Sequence, residues 1–287
     1  MSKINLTPQK PLHYHKALEK KTVKVSGEYL VTEKMDGWYL EADYDAETGL
    51  WTPFRSFSQR IVPAFEHRNL NRLKLHPAQS CRVIVEATIP DIPFHIANGI
   101  FNRKQEQATD AVLWMHDLIH LSRAVTAVER FKQVQRVYEQ CKFKLVPVLG
   151  VTNQHEEFLR FFDSVVERGG EGTVMKRLSG IYTMSGRNED LLKMKAEITK
   201  DLLCVGVEHT VGKKGEPSVN LILRNKAGQD IPVVVPKDSD QIAWGNNHSL
   251  VLDKVCEVVA LRSLENGKLR EPRFKVIRQD KTVNDID

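Results

Sequence analysis

Cysteine is scarce in this sequence: Cys81, Cys141, Cys204 and Cys256 are the only four in 287 residues, and none forms a Cys-x-x-Cys pair. That spacing argues against a zinc knuckle or a disulfide framework, and predicts reduced, mostly buried thiols of an intracellular protein. Long apolar runs are missing too. No stretch is long enough to span a bilayer, and residues 1–10 lack the apolar core of a signal peptide, so a cytoplasmic protein with no membrane partner is expected. With 12 prolines and 16 glycines the chain is neither fibrous nor low-complexity, and it shows no internal repeat.

What is present is the composition of a globular protein, 41% hydrophobic and 28% charged, with enough length for one large domain or two ordinary ones. The formal charge of +5 makes the surface mildly basic. A polyanionic partner is compatible with that charge, and so are many ordinary enzymes.

The periodicity of apolar residues predicts an α+β first half. Residues 29–44 read as two short strands around a turn at Asp36-Gly37, residues 50–57 as a further strand, and 82–87 and 111–119 as apolar runs of strand length. Residues 122–140 and 154–168 carry helical spacing, Gly169-Gly170 ends the second helix, and 172–176 and 191–195 return to strands. Beyond that the texture changes. Short β segments at 202–207, 219–223, 231–235, 255–261 and 274–277 fit a small barrel, of which the oligonucleotide-binding (OB) type is the commonest. The boundary is placed near Ile198, giving domains 1–198 and 199–287.

The sharpest motif is Thr32-Glu33-Lys34-Met35-Asp36-Gly37, a lysine at a strand end before an acidic residue and a glycine turn. Taken alone, Lys-x-Asp-Gly also describes a hairpin turn with a solvated lysine. Its company sharpens it. Val85-Glu86, Glu171-Gly172-Thr173-Val174-Met175-Lys176, Leu192-Lys193-Met194-Lys195 and Leu269-Arg270-Glu271-Pro272-Arg273-Phe274, leading into Arg278-Gln279-Asp280-Lys281, follow in order. In the third of these groups, Lys193 and Lys195 alternate with Leu192 and Met194, so one strand can point two cations to one face and two apolar side chains to the core.

That order and spacing, over nearly the whole chain, resemble the covalent nucleotidyltransferase superfamily of DNA ligases, RNA ligases and messenger-RNA capping enzymes, and most of all the small two-domain ATP-dependent DNA ligases of viral, phage and accessory bacterial type. The resemblance implies a nucleotidyltransferase (ATP-grasp-like DNA ligase) domain followed by a C-terminal OB-fold β-barrel. Lys34 is then the nucleophile that takes AMP from ATP as a phosphoramidate, which requires a neutral amine, and Lys193 and Lys195 are the cations expected to depress its pKa. Glu171 and Glu86 are expected to bind Mg²⁺, with Mn²⁺ as a substitute, and Glu86 to lie near the nucleotide ribose as well, although the glycine usually beside that glutamate is missing here.

Thr32 and His116 are expected at the adenine. His116, in Leu113-Trp114-Met115-His116-Asp117-Leu118, stands where relatives carry a stacking aromatic, with Trp114 on its face of the strand. Arg55, Lys176 and Arg187 are expected at the nucleotide or its phosphates. Arg270, Arg278, Asp280 and Lys281 resemble the closing motif that orients the leaving pyrophosphate. Tyr39 stands where DNA ligases carry a basic residue, which places one contact to the nicked strand in question. Arg55, Arg60, Arg103, Lys104, Lys213 and Lys214 are the candidates for phosphate contacts along a nicked duplex. The implied protein is a monomeric nick-sealing enzyme of replication, repair or recombination. The alternatives are an RNA ligase, a GTP-dependent capping guanylyltransferase and, outside enzymes, a catalytically dead DNA-binding module.

Overall fold

The computed structural model describes residues 7–19, 25–66, 70, 79–103, 107–211, 215–235, 239–264 and 266–287. The chain divides into two compact units, Met1–Met194 and Lys195–Asp287.

The first unit is built on two sheets. One has five strands in the order Leu12–His13, Leu191–Lys195, Gly172–Arg177, Tyr29–Glu33 and Val148–Thr152. The other runs Leu50–Trp51, Trp38–Asp45, Cys81–Thr88, Val112–His120 and Lys144–Leu145, with Arg55–Ser56 also paired to Trp38–Asp45. Alternation explains which face each strand buries. Leu40, Ala42 and Tyr44 join Val83, Val85, Leu113 and Met115 in one core, and Tyr29, Val31, Met175, Leu192 and Met194 meet Phe158 of the helix His155–Glu167 in another.

Local sequence sets several boundaries. The helix Ala127–Val137 begins where the Glu129 carboxylate accepts hydrogen bonds from the Thr126 N–H and hydroxyl, so it is shorter than the expected 122–140. The expected strand at 50–57 is broken into Leu50–Trp51 and Arg55–Ser56. A helix at Phe94–Phe101 has no counterpart in the sequence reading. The two strands at 29–44 do form, but Tyr29–Glu33 and Trp38–Asp45 enter different sheets, so the Asp36-Gly37 turn is a crossing between layers.

In the second unit, Ile198–Val211, Pro217–Arg224, Asp230–Val234, Arg273–Ile277 and Val255–Ala260 pair in that order and close into a barrel. A register shift between Cys204 and Gly206 bends the long first strand, which pairs with both Pro217–Arg224 and Val255–Ala260. The last link is the parallel pairing of Val234 with Arg273. Leu202, Leu221, Leu223, Ile231, Val233 and Val258 fill the interior together with Trp244 from the helix Ser239–Asn246. All four cysteines are buried and free. Among the described residues, no helix is long and apolar enough to cross a membrane.

Candidate active site

Lys34 follows the strand Tyr29–Glu33 directly and opens the link to the second sheet. Its N–H donates to the Gly172 carbonyl at 2.8 Å, which holds it against the start of the strand Gly172–Arg177. The residue before that strand is Glu171, and Lys34 Nζ lies 2.7 Å from its Oε2. The lysine side chain is 19% exposed and the glutamate 8%. This is an ion pair with one open side.

Glu86 reaches the same place from the other sheet. Gly37 approaches the strand Cys81–Thr88 so closely that its N–H hydrogen-bonds the Glu86 carboxylate, and an added Cβ would lie 2.9 Å from Glu86 Cγ. Burial, with the charges of Glu171 and Asp36 and against that of Lys34, pushes the Glu86 carboxyl up to about 7. The amine shows the reciprocal effect. Burial lowers the Lys34 pKa, but the charges of Glu171 and Glu86, the hydrogen bond to Glu171 and the charge of Asp36 outweigh it and leave the pKa raised. The depression expected from Lys193 and Lys195 is therefore not a property of the site in this state, because its nearest charges are acidic.

Oxygen donors contributed by one or two carboxylates suit Mg²⁺, which completes its shell with water and phosphate oxygens rather than with an all-protein cage. Glu86 and Glu171 fit that requirement, since Glu171 is among the charges that raise the Glu86 pKa and a divalent cation would relieve their repulsion.

Thr32 is buried in its strand, its hydroxyl donating to the Val174 carbonyl at 3.4 Å. His116 and Trp114 share the half-buried side of Val112–His120, while Leu113 and Met115 face the core. The Trp114 indole N–H donates to Thr88 Oγ1 at 2.8 Å. Lys176 turns to the second sheet, where its Nζ donates to the His116 carbonyl and lies 3.0 Å from Asp117 Oδ2. Burial lowers the Lys176 pKa. On the strand Leu191–Lys195, Leu192 and Met194 are buried and Lys193 and Lys195 half-buried, the alternation the sequence predicts.

Two buried charge clusters lie outside the sequence reading. Asp117 accepts from Arg130 Nε at 2.9 Å as well as from Lys176, and these two cations hold its carboxyl well below the usual range against the effect of burial. Glu41, fully buried, accepts from the Tyr39 hydroxyl at 2.7 Å and lies 3.1 Å from Arg82 Nη1. Arg55 belongs to this second cluster, with Nη2 at 2.6 Å from Asp43 and 3.4 Å from Glu41. Tyr39 is thus a hydrogen-bond donor to a carboxylate where a basic residue was expected. Strand parity is the signal that could have found the cluster: Tyr39, Glu41 and Asp43 share one face of Trp38–Asp45.

Arg60, Arg103 and Arg187 are exposed, the last in the loop before Leu191–Lys195. Lys104, Lys213 and Lys214 lie outside the described residues. In the second unit, Arg278 pairs with Asp280 at 2.6 Å and Lys281 with Asp201, which brings three residues of the closing motif together. Arg270 lies on the short strand Leu269–Arg270, opposite Arg262.

Residues 80–195 match the model of the ATP dependent DNA ligase domain. A DNA ligase of Methanocorpusculum labreanum is 22% identical over 207 residues, which cover 63% of this chain and 38% of that protein. The chain spans only 38%, 24% and 28% of the length of three curated relatives, all of them DNA ligases. Among solved structures, Pmar-Lig_PreS3 superposes with a TM-score of 0.77 at 20% identity, covering 95% of this chain and 68% of that one. The ATP-dependent DNA ligase from bacteriophage T7, in complex with ATP, gives 0.59 at 15% identity, covering 96% and 99%. At such identities the structural likeness carries the fold, which for the first unit is the nucleotidyltransferase domain of DNA ligases with its mixed sheets and few helices. The domain match over residues 80–195 and the curated relatives thus show likeness to DNA ligases, and the solved structures show a shared fold.

Proposed function

We propose that the chain is an ATP-dependent DNA ligase that seals nicks with a 5′-phosphate and a 3′-hydroxyl in duplex DNA, with Lys34 as its nucleophile. The observation that carries this reading is the Lys34 amine, partly open to solvent and held 2.7 Å from Glu171 at the crossing between two sheets, with Glu86 approaching from the second. In the first step the Lys34 nitrogen attacks the α-phosphorus of ATP, a P–N bond forms and pyrophosphate leaves. The AMP then passes to the 5′-phosphate of the nick, and the 3′-hydroxyl displaces it to join the strand.

The amine must shed its proton before it attacks, and the Glu171 ion pair is what retains that proton. Glu171 and Glu86 would hold Mg²⁺ or Mn²⁺, which supplies positive charge beside the phosphates. Lys193 and Lys195, with Lys176, Arg55 and Arg187, are assigned to the phosphates and nucleotide, where charge neutralisation and positioning do most of the catalysis. Thr32 and His116 are assigned to the adenine, and Arg270, Arg278, Asp280 and Lys281 to the leaving pyrophosphate.

We assign adenylation to residues 1–198 and read 199–287 as an OB-fold. The supporting feature is its strand order, in which the third strand pairs with the fifth and the fourth closes onto the first. Arg55, Arg60, Arg103, Lys104, Lys213 and Lys214 are assigned to DNA phosphates, so nick binding should weaken with salt and show little sequence preference. The test is incubation with α-labelled ATP and Mg²⁺, then with a nicked duplex. Label is expected on the protein, then on the DNA 5′ end, then as free AMP with a sealed strand. No label on the protein with ATP, or label from GTP instead, would overturn the proposal.

A further inference from the structure

Asp201 stands on the first barrel strand, Ile198–Val211, directly across from Glu257 of Val255–Ala260. Two carboxylates opposed on neighbouring strands repel each other, so the pairing needs positive charge beside it. Arg278 supplies that charge, with Nη1 3.5 Å from Asp201 and 3.7 Å from Glu257, and Lys281 donates to Asp201 Oδ2. Backbone hydrogen bonds add to the anchorage: the Arg278 N–H donates to the Val255 carbonyl at 2.7 Å and the Lys281 N–H to the Arg278 carbonyl. One carboxylate thus addresses both Arg278 and Lys281.

Of the acids beside Arg278, Asp201 is best placed to hold it. Its side chain is 12% exposed, and that of Asp280, which pairs with Arg278 through two hydrogen bonds, is 66% exposed. An exposed ion pair is weak and readily exchanged for a phosphate oxygen. Glu257 is committed to Lys275 at 2.7 Å. The Asp201 backbone is fixed through its N–H and its carbonyl, both bonded to Asp287, so the carboxylate keeps its place while its partners move. Asp201 Oδ1 is shielded from solvent and makes no hydrogen bond among the described residues, which leaves an acceptor for the Arg278 guanidinium when its pair with Asp280 opens.

Two opposing effects follow. The pair with Asp201 competes with phosphate for Lys281, which weakens anion binding, and it removes rotamers that Arg278 and Lys281 would otherwise lose on binding, which strengthens it. The ordering of two long side chains is the larger effect, because ion pairs whose cations are open to solvent contribute little. Resting on the role proposed above for Arg278 and Lys281 at the leaving pyrophosphate, we propose that Asp201 is a positioning residue for adenylation: it holds these two cations in the orientation in which they meet pyrophosphate, and touches neither nucleotide nor DNA itself.

The experiment uses the full chain as wild type, Asp201→Asn and Asp201→Glu, and follows two steps. One is adenylation, run forward with ATP and in reverse with inorganic pyrophosphate on the adenylated chain. The other is sealing of a pre-adenylated nicked duplex, in which no pyrophosphate takes part. Asp201→Asn keeps the shape and loses the charge. It is expected to lower the ratio of adenylation rate to sealing rate about tenfold, and to raise the pyrophosphate concentration for half-maximal reversal by a similar factor. Asp201→Glu keeps the charge one methylene further out and is expected to fall in between. A loss of fold lowers both steps together, so an unchanged ratio in Asp201→Asn overturns the inference; a ratio that rises does so too, because the pair would then be a brake. Melting temperatures identify an unfolded variant, and if Asp201→Asn is unfolded, Asp201→Glu decides by a ratio below that of wild type or equal to it. Wild-type self-adenylation is the control: its absence sinks the proposed function, whereas its presence with an unchanged ratio sinks only the role of Asp201.

Discussion

A methyl group on Gly37 would sit 2.4 Å from the carbonyl oxygen of Ala87, a distance no real Cβ tolerates. The glycine of the Lys34 motif is therefore required by close approach between two segments, and that approach is what brings Glu86 to Lys34. Gly37→Ala should separate them, lowering stability by about 1–3 kcal/mol and slowing adenylate formation by about tenfold or more. Thermal melting and single-turnover labelling measure the two effects. Wild-type values for both would mean that the strand Cys81–Thr88 simply yields.

Lys34→Ala should form no enzyme–AMP, and it should also melt below wild type, since it leaves the nearly buried Glu171 carboxylate without its cation beside Glu86. Lys34→Arg is the sharper variant. A guanidinium can still pair with Glu171 but does not deprotonate in proteins, so it too should remain unlabelled. Intact-mass measurement after incubation with ATP reads the result, and an adenylate on either variant would move the nucleophile elsewhere.

Asp117 is a buried carboxylate between Arg130 and Lys176. Asp117→Asn leaves two buried cations without their counter-ion and should cost about 3–5 kcal/mol in urea unfolding. Its depressed pKa also fixes a pH dependence. The folded-state value lies below the ordinary 3.8, so the stabilisation is complete above pH 3.8 and is lost as the pH falls through the folded value. Acid unfolding of wild type below pH 4 should therefore be steeper than that of the variant. Parallel acid curves would show that Asp117 contributes nothing to the slope.

Glu41 and Asp43 both pair with Arg82, but the Glu41 side chain is 0% exposed and that of Asp43 19%. Water compensates a lost partner only where it can reach. Glu41→Gln should thus destabilise by about 3 kcal/mol or more and Asp43→Asn by clearly less. Equal shifts in melting temperature would contradict the ranking.

The residues assigned to the reaction stand out in the sequence more than those that support them. Lys34 stands in a motif whose residue types are dictated by its chemistry, and the Leu192/Lys193/Met194/Lys195 alternation survives any change of neighbours because parity is a local property. The barrel strands were legible for the same reason. Partnership between sheets is not local: nothing in residues 29–44 tells a hairpin from a crossing, and the distinction rests on where the strands Gly172–Arg177 and Cys81–Thr88 arrive from later in the chain. Buried charges were hidden likewise. Glu41, Arg82, Asp117 and Arg130 each look like ordinary solvated side chains until the pairing that neutralises them exists. The helix Phe94–Phe101 lacked a charged face by which an amphipathic period could be recognised.

Because Lys34 occupies the short link between layers, the two carboxylates that address it report on different parts of the molecule. Glu171 moves with one sheet and Glu86 with the other. A change in the spacing of the two sheets would change the balance of negative charge at a single nitrogen. The amine is in effect a strain gauge, and its basicity a readout of how tightly the sandwich is shut.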